Sequence, residues 1–244
     1  MPVHPGRAAR VALGSKLRIS LGIAPRRSPE LAGLSSWRPV SPHAVVVVDY
    51  QNIHLTGHDL WCQPGEAQHQ CLIHPLRFAQ QLLERRNRLR GADAKTLDQV
   101  FEPAQLNLVL TFRGQPSNRY DPGNYRRTQA QESEWERDDR SDVCYRPLKY
   151  YGDGRVAEKG VDVMIALEVV KQAAMASEGD IVILATHDTD QEPTLELGRQ
   201  LAPGRVETAG WRDAKRLQVP GPSIWHTALE RVNFMRSRDP KQYA

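Results

Sequence analysis

The chain has no run approaching the roughly 18 consecutive apolar residues that a membrane span needs, so a soluble protein with no membrane partner is expected. Cysteine is scarce. Cys62, Cys71 and Cys144 cannot all pair within one chain, which excludes a disulfide scaffold and favours a reducing, cytoplasmic location. Cys62, His69, Cys71 and His74 fall close together, but their spacing matches none of the usual zinc patterns. Acidic residues are missing from the start of the chain: Arg7, Arg10, Lys16, Arg18, Arg26 and Arg27 all precede the first of them, Glu30. No sustained hydrophobic period is visible there either. Residues 1–40 are therefore expected to form a basic, flexible arm that touches phosphates; an unstructured tail fits the same composition.

What remains has the make-up of a globular protein, with 40% hydrophobic and 25% charged residues. Its 244 residues suffice for one α/β domain with an appended tail. A formal net charge of +4 permits an anionic partner such as RNA or DNA without requiring one. Apolar runs and helical periods alternate. Val45–Val48 and Ile181–Ala185 read as buried parallel strands. Leu106–Phe112 and Arg205–Ala209 read as further strands, the latter weakly apolar and placed at an edge, and Val143–Tyr151 as a strand bent by Pro147. Pro75–Arg90 has helical spacing, with Arg85, Arg86, Arg88 and Arg90 read as a solvated face. A helix from Glu158 carries apolar residues over much of its surface and is expected to be largely buried. Tyr125–Asp139, Thr194–Leu201 and Trp225–Met235 read as the remaining helices. This alternation argues for an α/β fold with a parallel sheet.

Two of the strands run into carboxylates. Val45–Val48 meets Asp49, with Asn52 three residues on, and Ile181–Ala185 is followed by Asp188 and Asp190. Open α/β sheets place their ligands at the carboxyl ends of strands. Asp162 falls in the first turn of the helix after Glu158, where the helix dipole favours a carboxylate. Singly, each aspartate has a plainer explanation as a turn or helix cap. Brought together, four carboxylates repel, and a divalent cation removes that cost. All-oxygen ligands suit Mg²⁺ or Mn²⁺. Such an ion acidifies a bound water and neutralises charge on a phosphate, which is the chemistry of phosphodiester hydrolysis.

At these residues the sequence resembles a known family. Val-Val-Asp-Tyr-Gln-Asn-Ile (47–53), Glu-Lys-Gly-Val-Asp-Val (158–163) and Ile-Leu-Ala-Thr-His-Asp-Thr-Asp (183–190) look like the motifs of the NYN domain, in the PIN-like ribonuclease superfamily, across roughly residues 44–210. The resemblance implies a PIN-like three-layer α/β/α sandwich with a central, mainly parallel sheet. It also implies a metal-dependent endoribonuclease, acting on single-stranded RNA. Asp49, Asp162, Asp188 and Asp190 would be the metal ligands, Asp190 through water, and Asn52 the partner orienting Asp49 or a water. These five form the expected catalytic set, with Lys159 and Arg113 as substrate-binding residues. Two positions depart from the family: His187 stands where a small residue precedes the third aspartate, and Gln191, beside Glu192, where an aromatic follows the fourth. His187 would either crowd the metal or carry protons.

Outside the motifs, Tyr120, Tyr125, Trp135, Arg126 and Arg127 offer stacking and charge to RNA, though packing is the commoner use of such aromatics. His54 and His58 are expected at the surface. The domain plan is a basic arm (1–40), a nuclease domain (41–212), and a C-terminal turn with a short helix (213–244). The alternative function is a catalytically weak NYN module acting as an RNA- or protein-binding adaptor, its cleft sealed by His187 or Glu192. A protein partner such as an antitoxin, and a DNA substrate, stay open at this point.

Overall fold

Four consecutive valines make the centre of the fold. They lie in strand β1 (His43–Asp49), whose residues from Val46 onward are buried on both faces, as β-branched side chains in a parallel sheet should be. The computed structural model describes residues 41–243; the basic arm expected over residues 1–40 lies outside the described residues. Along the chain follow α1 (Tyr50–Trp61), α2 (Pro75–Thr96), β2 (Gln105–Gln115), α3 (Pro122–Trp135) and β3 (Ser141–Pro147). A small hairpin, β4 (Lys149–Tyr150) with β5 (Val156–Ala157), leads to α4 (Val161–Met175), β6 (Ile181–Ala185) and α5 (Glu192–Leu201). The chain ends with β7 (Val206–Trp211), β8 (His226–Leu229) and α6 (Arg231–Ser237).

Six strands form one sheet in the order β3-β2-β1-β6-β7-β8, and every pairing in it is parallel. The alternation of the strands divides the core. Val46, Val48, Ile183 and Ala185 pack with Ile53 of α1, Phe78 and Leu82 of α2 and Phe234 of α6. Val47, Val182 and Leu184 pack with Ile165 and Val169 of α4 and Leu195 of α5 on the other face. The protein is thus a three-layer α/β/α sandwich. From β1 the chain crosses to β2 on one side, and from β6 it crosses to β7 on the other. The order reverses between β1 and β6, so a crevice opens at their carboxyl ends.

Several expectations are corrected by this arrangement. Residues 206–211 are not an edge strand: β7 is buried throughout, because β8 pairs outside it in a stretch read as helix. The polar residues that make β7 look peripheral are satisfied internally, since Arg86 grips Glu207 through two hydrogen bonds of 2.9 and 2.7 Å. Arg86 and Arg85 are accordingly buried and ion-paired, to Glu207 and Glu230, rather than part of a solvated face. Helix α4 is not largely buried: Val161, Ile165, Val169 and Ala173 face the sheet, while Val163 and Leu167 are exposed. Cys62 and Cys71 form a disulfide across the loop after α1, with Cα atoms 6.6 Å apart, and Cys144 is free. The four-residue Cys/His zinc set is not assembled; Glu66, not a histidine, lies with the two cysteines. Among the described residues, no helix is long and apolar enough to cross a membrane.

Candidate metal centre

Asp49 is the last residue of β1 and the N-cap of α1, its Oδ1 accepting the Asn52 backbone N–H at 3.3 Å. The segment read as a turn is therefore the first turn of a helix, which starts at once because Asp49 caps it. Its second oxygen accepts the Thr186 hydroxyl at 2.9 Å, directly after neighbouring β6. Thr186 Oγ1 also accepts the Asp188 backbone N–H at 3.1 Å. One hydroxyl thus ties two aspartates from separate strands together.

Asp162 reaches the same place from the opposite layer. Gly160 caps α4 in the left-handed region (φ 78°), a conformation that costs glycine little. A side chain there would also meet the Arg146 guanidinium, whose Nε donates to the Lys159 carbonyl. The turn delivers Asp162 to the helix's first turn. Carboxylate oxygens of Asp49, Asp162 and Asp188 then lie within 4.8 Å of one another. Asp190 is not one of this trio. It lies one residue beyond Thr189, with its backbone N–H donating to Asp188 Oδ1, and close enough for its charge to act on Asp162.

The electrostatics match this crowding. Burial pushes the Asp49 carboxyl up to about 7 against the hydrogen bonds from Thr186 and Asn52, with the Asp162 and Glu158 charges adding to the rise. Asp162 is raised by burial and then by Asp188 and Asp190. Glu158, quoted in the second motif without a role, joins the same field: its carboxylate accepts the Gly114 N–H, and its pKa is raised by burial and by Asp162. Three carboxylates on a shared point, one of them nearly inaccessible, fit a hard divalent cation with oxygen ligands.

Asn52 bonds Asp49 through its backbone N–H, while its side chain turns to the other motif. Its Oδ1 accepts the His187 backbone N–H at 2.7 Å, so it fixes the loop that carries Asp188. His187 neither crowds the centre nor faces it. Its ring turns under β7, with Nδ1 2.8 Å from the Lys215 carbonyl and Nε2 accepting the Trp211 N–H at 3.1 Å. Gly210 makes the room, since a Cβ there would fall 2.4 Å from the ring. Burial lowers the pKa of His187, consistent with this acceptor role. Glu192 accepts the Gln218 N–H, and Gln191 is buried with its amide donating to the Asp162 carbonyl. Neither His187 nor Glu192 seals the crevice.

Cationic groups stand on both flanks. Lys159 is exposed, three residues before Asp162, and Arg113 lies in the buried part of β2. Arg113 is buried rather than free in a loop, with its guanidinium over the rings of Tyr50, Trp135 and Tyr145. On the other flank a hollow of about 770 Å³ runs from Thr189 and Glu192 to Lys215 and Arg216. These two basic residues were not legible in the sequence as site residues; only the return of the chain after β7 brings them there. Trp135 is buried in the core, Tyr120 stacks on Tyr150 at 4.9 Å, and His54 is buried rather than at the surface.

No family model matches the sequence, and no curated protein does. The structure is similar to the crystal structure of a protein of unknown function, VPA0982, from Vibrio parahaemolyticus RIMD 2210633. The TM-score is 0.46 at 15% sequence identity, covering 74% of this chain and 88% of that one. A likeness of that degree carries no chemistry across.

Proposed function

We propose that this protein is a metal-dependent endoribonuclease of NYN type that hydrolyses phosphodiester bonds of single-stranded RNA. The observation that carries the reading is the convergence of Asp49, Asp162 and Asp188 at the carboxyl ends of β1 and β6. Mg²⁺ or Mn²⁺ held by these carboxylates would supply an acidified water and a counter-charge for the phosphate.

The chain's own residues do the rest. Asp49 is held rigid by Thr186 and by the first turn of α1, so its oxygens need no reorganisation. Asn52 and Thr186 fix the backbone on either side of Asp188. Asp190, exposed at the mouth, would reach the ion through water and adds its charge beside Asp162. Lys159 and Arg113 on one flank, with Lys215 and Arg216 on the other, attract and align the phosphates. In-line attack on the phosphorus leaves a 5′-phosphate and a 3′-hydroxyl. A cytoplasmic location would suit an RNA substrate, whereas the Cys62–Cys71 bridge favours an oxidising compartment.

The adaptor reading required a cleft sealed by His187 or Glu192, and both side chains are engaged elsewhere. End-group analysis of single-stranded RNA incubated with the protein and Mn²⁺ tests the proposal. New 5′-phosphate ends, absent with EDTA and absent with Asp188→Asn, are expected. Cleavage that persists in EDTA and leaves cyclic phosphates would remove the metal mechanism.

A further inference from the structure

A side cavity of about 370 Å³ lies between α1, the loop after it, the end of β2 and α3. Its volume is that of a small-ligand site and suits one nucleotide rather than a length of strand. Arg113, Arg127, Gln131, His54 and the Asp121 carboxylate are among its polar lining, and Leu55, Leu72 and Leu148 among its apolar lining.

Arg113 is the unusual member. It is 9% exposed, and its guanidinium sits 4.8 Å from the Tyr50 ring centre and 5.5 Å from that of Trp135. Nη1 donates to Gln131 Oε1 at 2.7 Å, but Nε is buried without a partner. Among the described residues no carboxylate forms an ion pair with Arg113, whereas the buried Arg85 and Arg86 each have one. Its opposite charge is at longer range, the Glu158 carboxylate whose ionised form it favours, and a buried cation without a direct partner is costly. His54, 4% exposed, leaves its Nε2 unpartnered. Both side chains line the cavity, and each keeps one buried nitrogen without a hydrogen-bond partner.

The cavity is linked to the metal centre through the backbone of β1 and β2. Phe112, the residue before Arg113, pairs in register with Asp49. Gln51, two residues after Asp49, lines the cavity, and so does Gly114, whose N–H is held by Glu158. A strand lying across the carboxylates would bring its next nucleotide to this opening. The donor edge of a guanidinium matches phosphate oxygens, the anionic groups of such a strand.

We propose that the cavity receives the nucleotide beside the cleaved bond and that Arg113 pairs with its phosphate. The inference extends the nuclease reading, and the phosphate is either the terminal monoester of a strand's 5′ end or an internal diester.

Binding of a fluorescent single-stranded RNA, carrying either a 5′-phosphate or a 5′-hydroxyl, is measured in EDTA for the full chain. Two variants are compared with the wild type: Arg113→Lys, which removes the planar donor edge, and Gln68→Trp, which blocks the cavity mouth from an exposed position. Both are expected to weaken binding about tenfold. A loss confined to the phosphorylated RNA assigns the terminal monoester; an equal loss for both assigns the internal diester. Wild-type affinity in Gln68→Trp overturns the proposal, whatever Arg113→Lys does, because a loss in Arg113→Lys alone then reflects packing. Unchanged binding with intact Mn²⁺-dependent cleavage would remove this subsite and leave the nuclease. Phosphate-dependent binding by a protein that never cleaves would remove the nuclease and leave the subsite.

Discussion

Asp49 is the residue on which the site turns. Folding moves its carboxyl from an ordinary 3.8 to about 7, chiefly by burial. Because the folded value lies above the unfolded one, its contribution to stability is whole below pH 3.8 and is lost as pH rises through 7. A bound cation reverses this by favouring the ionised form, so metal affinity should rise with pH across the same range. Asp49→Asn keeps the shape and removes the charge. In the metal-free protein at pH 8 it is expected to raise stability by about 1–3 kcal/mol, inside a ceiling of about 4 kcal/mol set by the pKa rise. Urea unfolding in EDTA checks this, and a variant less stable than the wild type would contradict it. Asn52 acts one step away. Asn52→Ala leaves the His187 N–H unpaired and frees the loop carrying Asp188. A stability loss of about 1–3 kcal/mol is expected, and a Mn²⁺ titration should show weakened but surviving binding, as befits a positioning residue.

Among the elements, β1 and β6 were the most legible, because a short all-apolar run with an aspartate at or soon after its end leaves few alternatives. Their pairing then brings Asp49 and Asp188 together, so the heart of the candidate site could be read from the chain. β7 was legible as a strand but not as a buried one, and β8 reads as helix. Glu207, Thr208 and Gly210 carry no strand-like apolar period, and what buries them is distant: Arg86 for Glu207, Trp225 and His226 for Thr208. Gly210 is small because the His187 ring lies against it, which also explains why a bulky residue is tolerated beside Asp188. The start of α1 was hidden for a related reason, since its cap is the site aspartate itself. The Arg86–Glu207 pair joins α2 to β7 with side chains only 5% and 2% exposed. Glu207→Gln strands a buried guanidinium and is expected to cost about 3–5 kcal/mol by denaturant unfolding. A loss below about 1 kcal/mol would mean that the pair is solvated in solution.

Across the whole molecule, charge is arranged about the crevice: an acidic centre with Arg113 and Lys159 on one side and Lys215 and Arg216 on the other. About four phosphate contacts to a single strand predict a slope near −3 for the logarithm of RNA affinity against that of salt concentration. Lys215→Ala with Arg216→Ala should flatten that slope by one to two; no change would take this flank out of the binding face. The central claim is that Asp49, Asp162 and Asp188 together hold one divalent cation. Calorimetric titration of Mn²⁺ into the wild type and Asp188→Asn, at pH 6 and pH 8, tests it most directly. One site in the wild type, tighter at pH 8 and lost in the variant, is the predicted result. Equal binding by both proteins, or none by either, would contradict it.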